Sequence, residues 1–390
     1  MDLHIDREAF LKTLSRIQTV VERRNTMPIL GHTLLKAEDG FLSLSATDLE
    51  VSLKTRCPAE IESPGALAVS ARKLFEIVRE LPEGEARLFE DGNQRLVVTS
   101  GEARFNLGGV PADEFPAIPE PNEEHRIPMD PATLLGMFNQ THFAISPEES
   151  RFNLNGLALQ VEPAEGEGAG RMRMVATDTH RLSLVEQILD YAPPERLQVI
   201  IPRKAVTEAR KLLEDVGESD SEGEGEQNGD KEEEELSLDL VIEEKFIQFI
   251  RPGITLISKL VDGRYPNYKR VIPQDNQYRL DVDKNQLQGV VRRMSVLSNE
   301  KSRGVRIKIG KNQLKFNTNN PEQDVADEKM VAEFDGPNIS LGFNARYLLD
   351  IIHVVEGETM RFMIQEEEKS VLVLDPDRDS ALFVLMPMRV

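Results

Sequence analysis

The sequence has no tryptophan, one cysteine (Cys57) and few aromatic residues, 5% of its 390 positions. A lone thiol builds neither a disulfide framework nor a thiolate metal site. No apolar run approaches the roughly 18 residues that a membrane-spanning helix needs. The opening stretch Met1–Glu8 is charged where a secretory signal would be apolar. Catalytic signatures are missing as well: there is no Gly-x-Ser-x-Gly elbow, no His-Glu-x-x-His and no phosphate-binding loop. Gly166-Glu167-Gly168-Ala169-Gly170 is too acidic to cradle a phosphate and reads as a hairpin turn. These absences point to a cytoplasmic protein, with no membrane partner, no cofactor, no metal and no catalytic residues.

Basic charge is also scarce, and the net charge is -21. It is unevenly spread. Glu214–Glu235 holds 12 acids and one lysine, which is -11 and leaves -10 for the other 368 residues. A whole-chain sum says nothing of the field inside a cleft where cations are segregated. At 390 residues, with 39% hydrophobic and 29% charged positions, the chain is an ordinary globular protein of two to three domains.

What is present is a pattern that recurs. Residues 6–24 carry a helical apolar stripe at Phe10, Leu14, Ile17 and Val20, with Asp6 as N-cap. Strands are expected over Ile29–Lys36, Phe41–Asp48 and Leu49–Arg56, with Asp39-Gly40 turning between the first two. A second helix opens at Ala71-Arg72-Lys73, further strands reach Leu107, and Pro111–Pro121 reads as a linker. The order returns with a helix at Pro131–Thr141, the strand opened by Gly156, and a helix at Pro202-Arg203-Lys204. It returns again with a helix at Asp283–Leu297, the strand opened by Gly304, and a helix at Asn344-Ala345-Arg346.

Between these landmarks stands a corner. In the middle pass it is Val175-Ala176-Thr177-Asp178-Thr179-His180-Arg181-Leu182. Asp178 and His180 could suggest a hydrolytic pair, but Asp and Thr at a strand corner also bond their own backbone. Asp48 and Asn320 occupy the same place in the other passes. The corner precedes Arg72, Arg203 and Arg346 by 24, 25 and 26 residues. Three landmarks in register make a real repeat.

Over nearly its whole length the chain resembles the bacterial DNA polymerase III β subunits, the sliding clamps. The resemblance rests on Met27-Pro28-Ile29-Leu30-Gly31, Thr47-Asp48-Leu49-Glu50, Ala71-Arg72-Lys73, Ala176-Thr177-Asp178 with His180-Arg181-Leu182, and Ser258–Arg264. It continues in Leu297–Lys301, Asn319–Gln323 and Met386-Pro387-Met388-Arg389. Two departures stand out: the acidic run 214–235, and Thr179 where the family usually has glycine.

The resemblance implies an α+β fold of three repeated DNA-clamp domains, each with two helices and antiparallel sheets, at 1–123, 126–275 and 278–390. It implies a head-to-tail homodimer closing as a six-domain ring around duplex DNA, bound without regard to sequence. Implied partners are the DNA polymerase III α subunit, the clamp loader and other proteins with clamp-binding motifs. The implied peptide pocket is Leu154, Thr177, Thr179, His180, Arg181, Leu182, Pro266, Val271 and Ser370, completed by Val384, Leu385, Met386, Pro387, Met388 and Arg389. Expected against DNA are Arg24, Arg72, Arg151, Phe152, Arg203, Lys204 and Arg346. Expected at the dimer interface are Arg104, Phe105, Leu107, Val296, Leu297 and Glu322. Arg181, His180 and Arg389 are expected to grip a peptide at the pocket edge, and the acidic run is expected to be a loop.

Overall fold

The computed structural model describes residues 1–21, 27–120, 125–163, 169–191, 193–219 and 237–389. The first repeat runs β1 (Asp2–Asp6), α1 (Arg7–Val20), β2 (His32–Glu38), β3 (Phe41–Thr47), β4 (Val51–Pro58), β5 (Glu60–Ser63) and β6 (Gly65–Ser70). It ends with α2 (Ala71–Glu80), β7 (Glu85–Glu90), β8 (Arg95–Ser100) and β9 (Ala103–Pro111). The second holds β10 (Arg126–Met129), α3 (Pro131–Thr141), β11 (Gly156–Glu162), β12 (Gly170–Thr177), β13 (Arg181–Leu189) and β14 (Leu197–Pro202). Then follow α4 (Arg203–Ser219), β15 (Leu238–Ile242), β16 (Phe246–Arg251) and β17 (Ile254–Lys259). The third is β18 (Tyr278–Asp283), α5 (Lys284–Val296), β19 (Gly304–Gly310), β20 (Gln313–Asn319), β21 (Val325–Met330) and β22 (Ile339–Asn344). It closes with α6 (Ala345–Val354), β23 (Thr359–Ile364), β24 (Val371–Asp375) and β25 (Arg378–Leu385).

The helices begin where short polar side chains can cap them. Asp6 accepts from the Ala9 amide, Asp283 from Gln286, and Asn344 from Arg346 and Tyr347. α1 buries Phe10, Leu14, Ile17 and Val20 as one stripe. Three expectations need correction. Ile29–Gly31 belong to a 3₁₀ turn, Pro28–Gly31, because Pro28 fixes a helical φ at its start, so the strand begins at His32. The described part of the expected linker, 111–120, is not free, because Phe115 is only 7% exposed and anchors it after the turn Ala112–Glu114, while Pro121 lies outside the described residues. The acidic run does not leave the helix at Glu214. α4 continues to Ser219, with Arg210 and Glu214 paired at 3.4 Å along its exposed side; residues 220–236 lie outside the described residues.

Contacts divide the chain into two compact units rather than three. One is Met1–Leu135 with Lys204–Leu260, the other Gly136–Arg203 with Val261–Val390. The middle repeat is shared between them because its sheets join those of its neighbours edge to edge. In the first unit, a 13-stranded sheet runs β10-β15-β16-β17-β4-β3-β2-β6-β9-β8-β7-β1-β5, with β17 antiparallel to β4. In the second, an eight-stranded sheet runs β14-β11-β12-β13-β25-β24-β23-β18, with β13 antiparallel to β25. A four-stranded sheet, β21-β20-β19-β22, completes it. Strand residues alternate between a helix-covered face and an outer face, as the period of two demands. In β4, Leu53, Thr55 and Cys57 are buried, while Arg56 is exposed.

Candidate functional site

The corner is built from local hydrogen bonds. Asp178 Oδ1 accepts from the amides of His180 (2.9 Å) and Arg181 (3.0 Å). Thr177 Oγ1 accepts from the Thr179 amide at 3.2 Å and donates to the Arg181 carbonyl at 2.6 Å. Thr179 is thereby held at φ 77°. The first repeat makes the same corner. Asp48 Oδ1 accepts from Glu50 (2.9 Å) and Val51 (2.6 Å), Thr47 Oγ1 from Leu49 (3.0 Å), and Leu49 sits at φ 78°. No acid–base pair results, since the His180 ring stacks on Tyr347 with centroids 6.0 Å apart.

Each corner aspartate is buried, so its second oxygen needs a cation. Asp178 Oδ2 receives Arg181 Nε at 3.1 Å. Asp48 receives Lys204 Nζ. The third repeat has the neutral Asn320, which bonds Asp324 at 2.9 Å through both its oxygen and its amide nitrogen. Lys204, expected to face DNA, pairs with the first repeat's corner.

Arg181 departs furthest from expectation. It is 7% exposed, too buried to grip a peptide. Nη1 donates to Asp350 Oδ2 at 2.5 Å and Nη2 to the Phe143 carbonyl at 2.6 Å. Its guanidinium lies 4.4 Å from the Tyr347 ring and 5.0 Å from Phe143. It ties the second repeat's corner to α6 of the third.

The outer face of the β13–β25 ladder carries a closely packed apolar cluster where the hollow is expected. Leu182 and Val384 are cross-strand partners and belong to one cluster with Val175, Tyr265 and Tyr268, against which Leu154 and Val271 pack. Thr177 follows Val175 on that face, and its amide donates to the Tyr265 hydroxyl at 3.0 Å. Burial pushes the Tyr265 phenol well above its ordinary range. Thr179 and His180 form an exposed rim, and Pro266 is exposed beside Tyr265. Beyond β25 the chain is held by Met386 N to the His180 carbonyl (2.9 Å) and Met388 N to the Gly342 carbonyl (2.8 Å), leaving Met386, Pro387 and Met388 half-buried. Ser370 and Val271 share a neighbouring cleft of about 340 Å³.

Two of the expected pocket side chains are not on this face. Leu385 pairs with Arg181 across the ladder, on the side of Phe383, whose ring meets Phe143 at 6.2 Å. Alternation therefore turns both Arg181 and Leu385 away. Arg389 is exposed and pairs with Glu368 at 3.3 Å. Sequence reasoning missed Val175, Tyr265 and Tyr268. The alternation Val175/Thr177 was a usable signal; Tyr265-Pro266 reads as loop punctuation unless burial is known.

The remaining expected residues are scattered. Arg24 lies outside the described residues. Arg151 pairs with Glu148 at 2.6 Å and donates to Thr179 Oγ1 at 3.2 Å, and Phe152 beside it is 60% exposed. Arg72, Arg203 and Arg346 are exposed at the first or second residue of α2, α4 and α6. Arg72 shares its charge with Glu76 at 2.8 Å. Val296 is 78% and Phe105 36% exposed, but Leu107 is 5% exposed and part of its own repeat's core. Leu297 is half-buried and Glu322 exposed, while the Arg104 guanidinium lies 5.6 Å from the Phe89 ring. No cluster of three or more His, Cys, Asp or Glu fit to hold a metal occurs among the described residues.

Comparison with known proteins adds a family to this geometry. Three family profiles match: the DNA polymerase III beta subunit N-terminal domain over residues 1–119, central domain over 129–221 and C-terminal domain over 269–389. The beta sliding clamp of Caulobacter vibrioides is 38% identical over 392 residues, and that of Escherichia coli K12 35% over 391, all of both chains being covered. Among solved structures, the Caulobacter crescentus beta sliding clamp is 38% identical with a TM-score of 0.90. The Pseudomonas aeruginosa DNA polymerase III subunit beta is 36% identical with a TM-score of 0.89, again with full coverage of both chains.

Proposed function

The chain belongs to the DNA polymerase III beta-subunit family, the non-catalytic beta sliding clamps, and from that premise we propose that it acts in the cytoplasm as a head-to-tail homodimer closed around duplex DNA. It tethers the polymerase α subunit, the clamp loader and other motif-bearing proteins through the hollow beside Thr177. The division into domains at 1–123, 126–275 and 278–390 belongs to the same reading.

The observation that carries the peptide reading is the fixed corner. Arg181 and Asp178 hold it from beneath, so the backbone around the proposed hollow is fixed before any ligand arrives. A fixed backbone limits the ordering cost of binding. Met386 and Met388 give its C-terminal wall flexible side chains that adapt to different peptides. A Pseudomonas aeruginosa relative has been solved bound to griselimycin, so an external ligand can dock on this family's fold.

The DNA reading is supported by three misplaced cations. Arg72, Arg203 and Arg346 open helices, where the macrodipole disfavours positive charge by about 0.3–1 kcal/mol each. The same cost in three repeats is offset if phosphates pass in front of these ends. The dimer reading is supported by open strand edges. Among the described residues, β9 meets β6 only through Gly109–Pro111, and β21 pairs with β20 alone. For Arg104 the expected partners are Glu322, Asp324 and Glu328, of which Glu328 already pairs with Arg293 at 3.0 Å.

Calorimetry with a polymerase-derived clamp-binding peptide tests the hollow. Removing Met386–Val390 should weaken binding at least tenfold while sedimentation still reports a dimer. Undiminished affinity in a dimeric truncated protein would place the peptide site elsewhere.

A further inference from the structure

The first unit has a groove at the place that answers, one repeat earlier, to the proposed apolar hollow. Glu114-Phe115-Pro116 stands where the later junction has Arg264-Tyr265-Pro266, and Phe115 is buried as Tyr265 is. β4 meets β17 as β13 meets β25: Lys54 opposes Thr255, and Leu184 opposes Leu382. A groove of about 640 Å³ lies between this strap and the outer sheet face.

Its chemistry has been inverted. Counting from the Asp48 and Asp178 corners, Val175 and Leu184 of the hollow correspond to Ser45 and Lys54. Arg56 stands where the other junction has Glu186. Glu186 is neutralised across its ladder by Arg173, whereas Arg56 faces the neutral Ser43. Lys36 and Arg251 also line the groove, against Glu38 and Glu120. Lys36 is paired with Glu38 at 2.6 Å, while Lys54 and Arg56 oppose the neutral Ser45 and Ser43, the Arg56 guanidinium lying 4.4 Å from the Phe41 ring. Among the described residues, four cations against two acids line the groove, a local positive site in a chain of net charge -21.

We propose that this groove docks an acidic, extended peptide segment of a partner protein. Lys54 and Arg56 meet its carboxylates, Ser43, Ser45 and Thr255 supply short hydroxyl donors, and the strap around Pro116 forms the far wall. A single-stranded nucleic acid is the rival anion. It needs exposed aromatic faces for its bases, and Phe115, the aromatic in the lining, is 7% exposed. The proposal rests on the threefold repeat of the reading above and is independent of what fills the second unit's hollow.

The test is fluorescence anisotropy on the full-length protein with a labelled 12-residue peptide alternating Glu with Ser and Leu, at 50 and 200 mM salt. Its Gln counterpart and a dT12 oligonucleotide serve as rival probes. The expected result is binding of the Glu peptide alone, weakened at least tenfold by 200 mM salt and by Lys54→Glu with Arg56→Glu. The milder pair Lys54→Gln with Arg56→Gln should weaken it by a smaller factor. Both variants should bind the clamp-binding peptide as the parent does, which shows that they are folded. Removing Met386–Val390 should leave the Glu peptide bound, so failure here is distinguishable from failure of the hollow. Equal affinity in the folded charge-reversed variant, or tighter binding of dT12 or of the Gln peptide, would overturn the assignment.

Discussion

Thr179 holds a β-branched side chain at φ 77°, a region such residues occupy only under constraint. The corner's hydrogen bonds impose it. Strain of this kind costs on the order of 1–3 kcal/mol, and glycine's extra freedom in the unfolded chain returns about 0.4–1 kcal/mol. Thr179→Gly should therefore stabilise the protein by about 1 kcal/mol, read as a higher midpoint in thermal unfolding; a lower midpoint would show the corner to be unstrained. Arg181 is the opposite case. Arg181→Ala should cost about 3–5 kcal/mol, because it leaves Asp178 buried with its cation gone, and a loss below 1 kcal/mol in denaturant unfolding would refute that role. The corner was legible from the sequence because its bonds span two or three residues. The role of Arg181 was not, because Asp350 is 169 positions away.

At the scale of elements, the neighbours that cover a strand decide what it shows, since Phe105 and Leu107 lie on one face of β9. Leu107 looked like an interface residue, but it is buried beside the exposed Phe105. Charging Leu107 would damage its own repeat, so the interface is better probed by Phe105→Glu with Val296→Glu. That pair should yield folded monomers in sedimentation at low micromolar concentration, and persistent dimers would remove β9 and α5 from the interface. The β18–β23 pairing carries a second prediction. Burial raises the Asp281 carboxyl, but hydrogen bonds from Arg279 and Arg361 outweigh it and bring it from 3.8 to about 2. A depressed folded pKa contributes stability above the ordinary carboxylate range, lost as pH falls. The loss should run from about pH 5 down to about pH 2. Asp281→Asn should lower stability at neutral pH and flatten the pH dependence across that window; an unchanged acid transition would contradict this. Element order and helix starts were readable from caps and periodicity. The end of α4 was not, because composition alone assigned its acidic last turn to a loop.

The molecule as a whole carries a net charge opposed to its proposed ligand. The acidic run accounts for more than half of it, and charges beyond about 10 Å are screened at 0.1 M salt. Contacts as sparse as the helix-opening arginines give weak, salt-sensitive attraction, so retention on DNA must come from topology. Threefold repetition was visible in the sequence; the sharing of the middle repeat between two units was not, since strand pairing across repeats leaves no local signature. The most direct measurement follows the protein loaded on nicked circular duplex by a clamp loader, washed in salt that strips electrostatically bound protein, before and after linearisation. The account predicts retention on the circle and rapid loss once an end is opened. Equal retention on circular and linear DNA, or loss from both at the same salt, would contradict it.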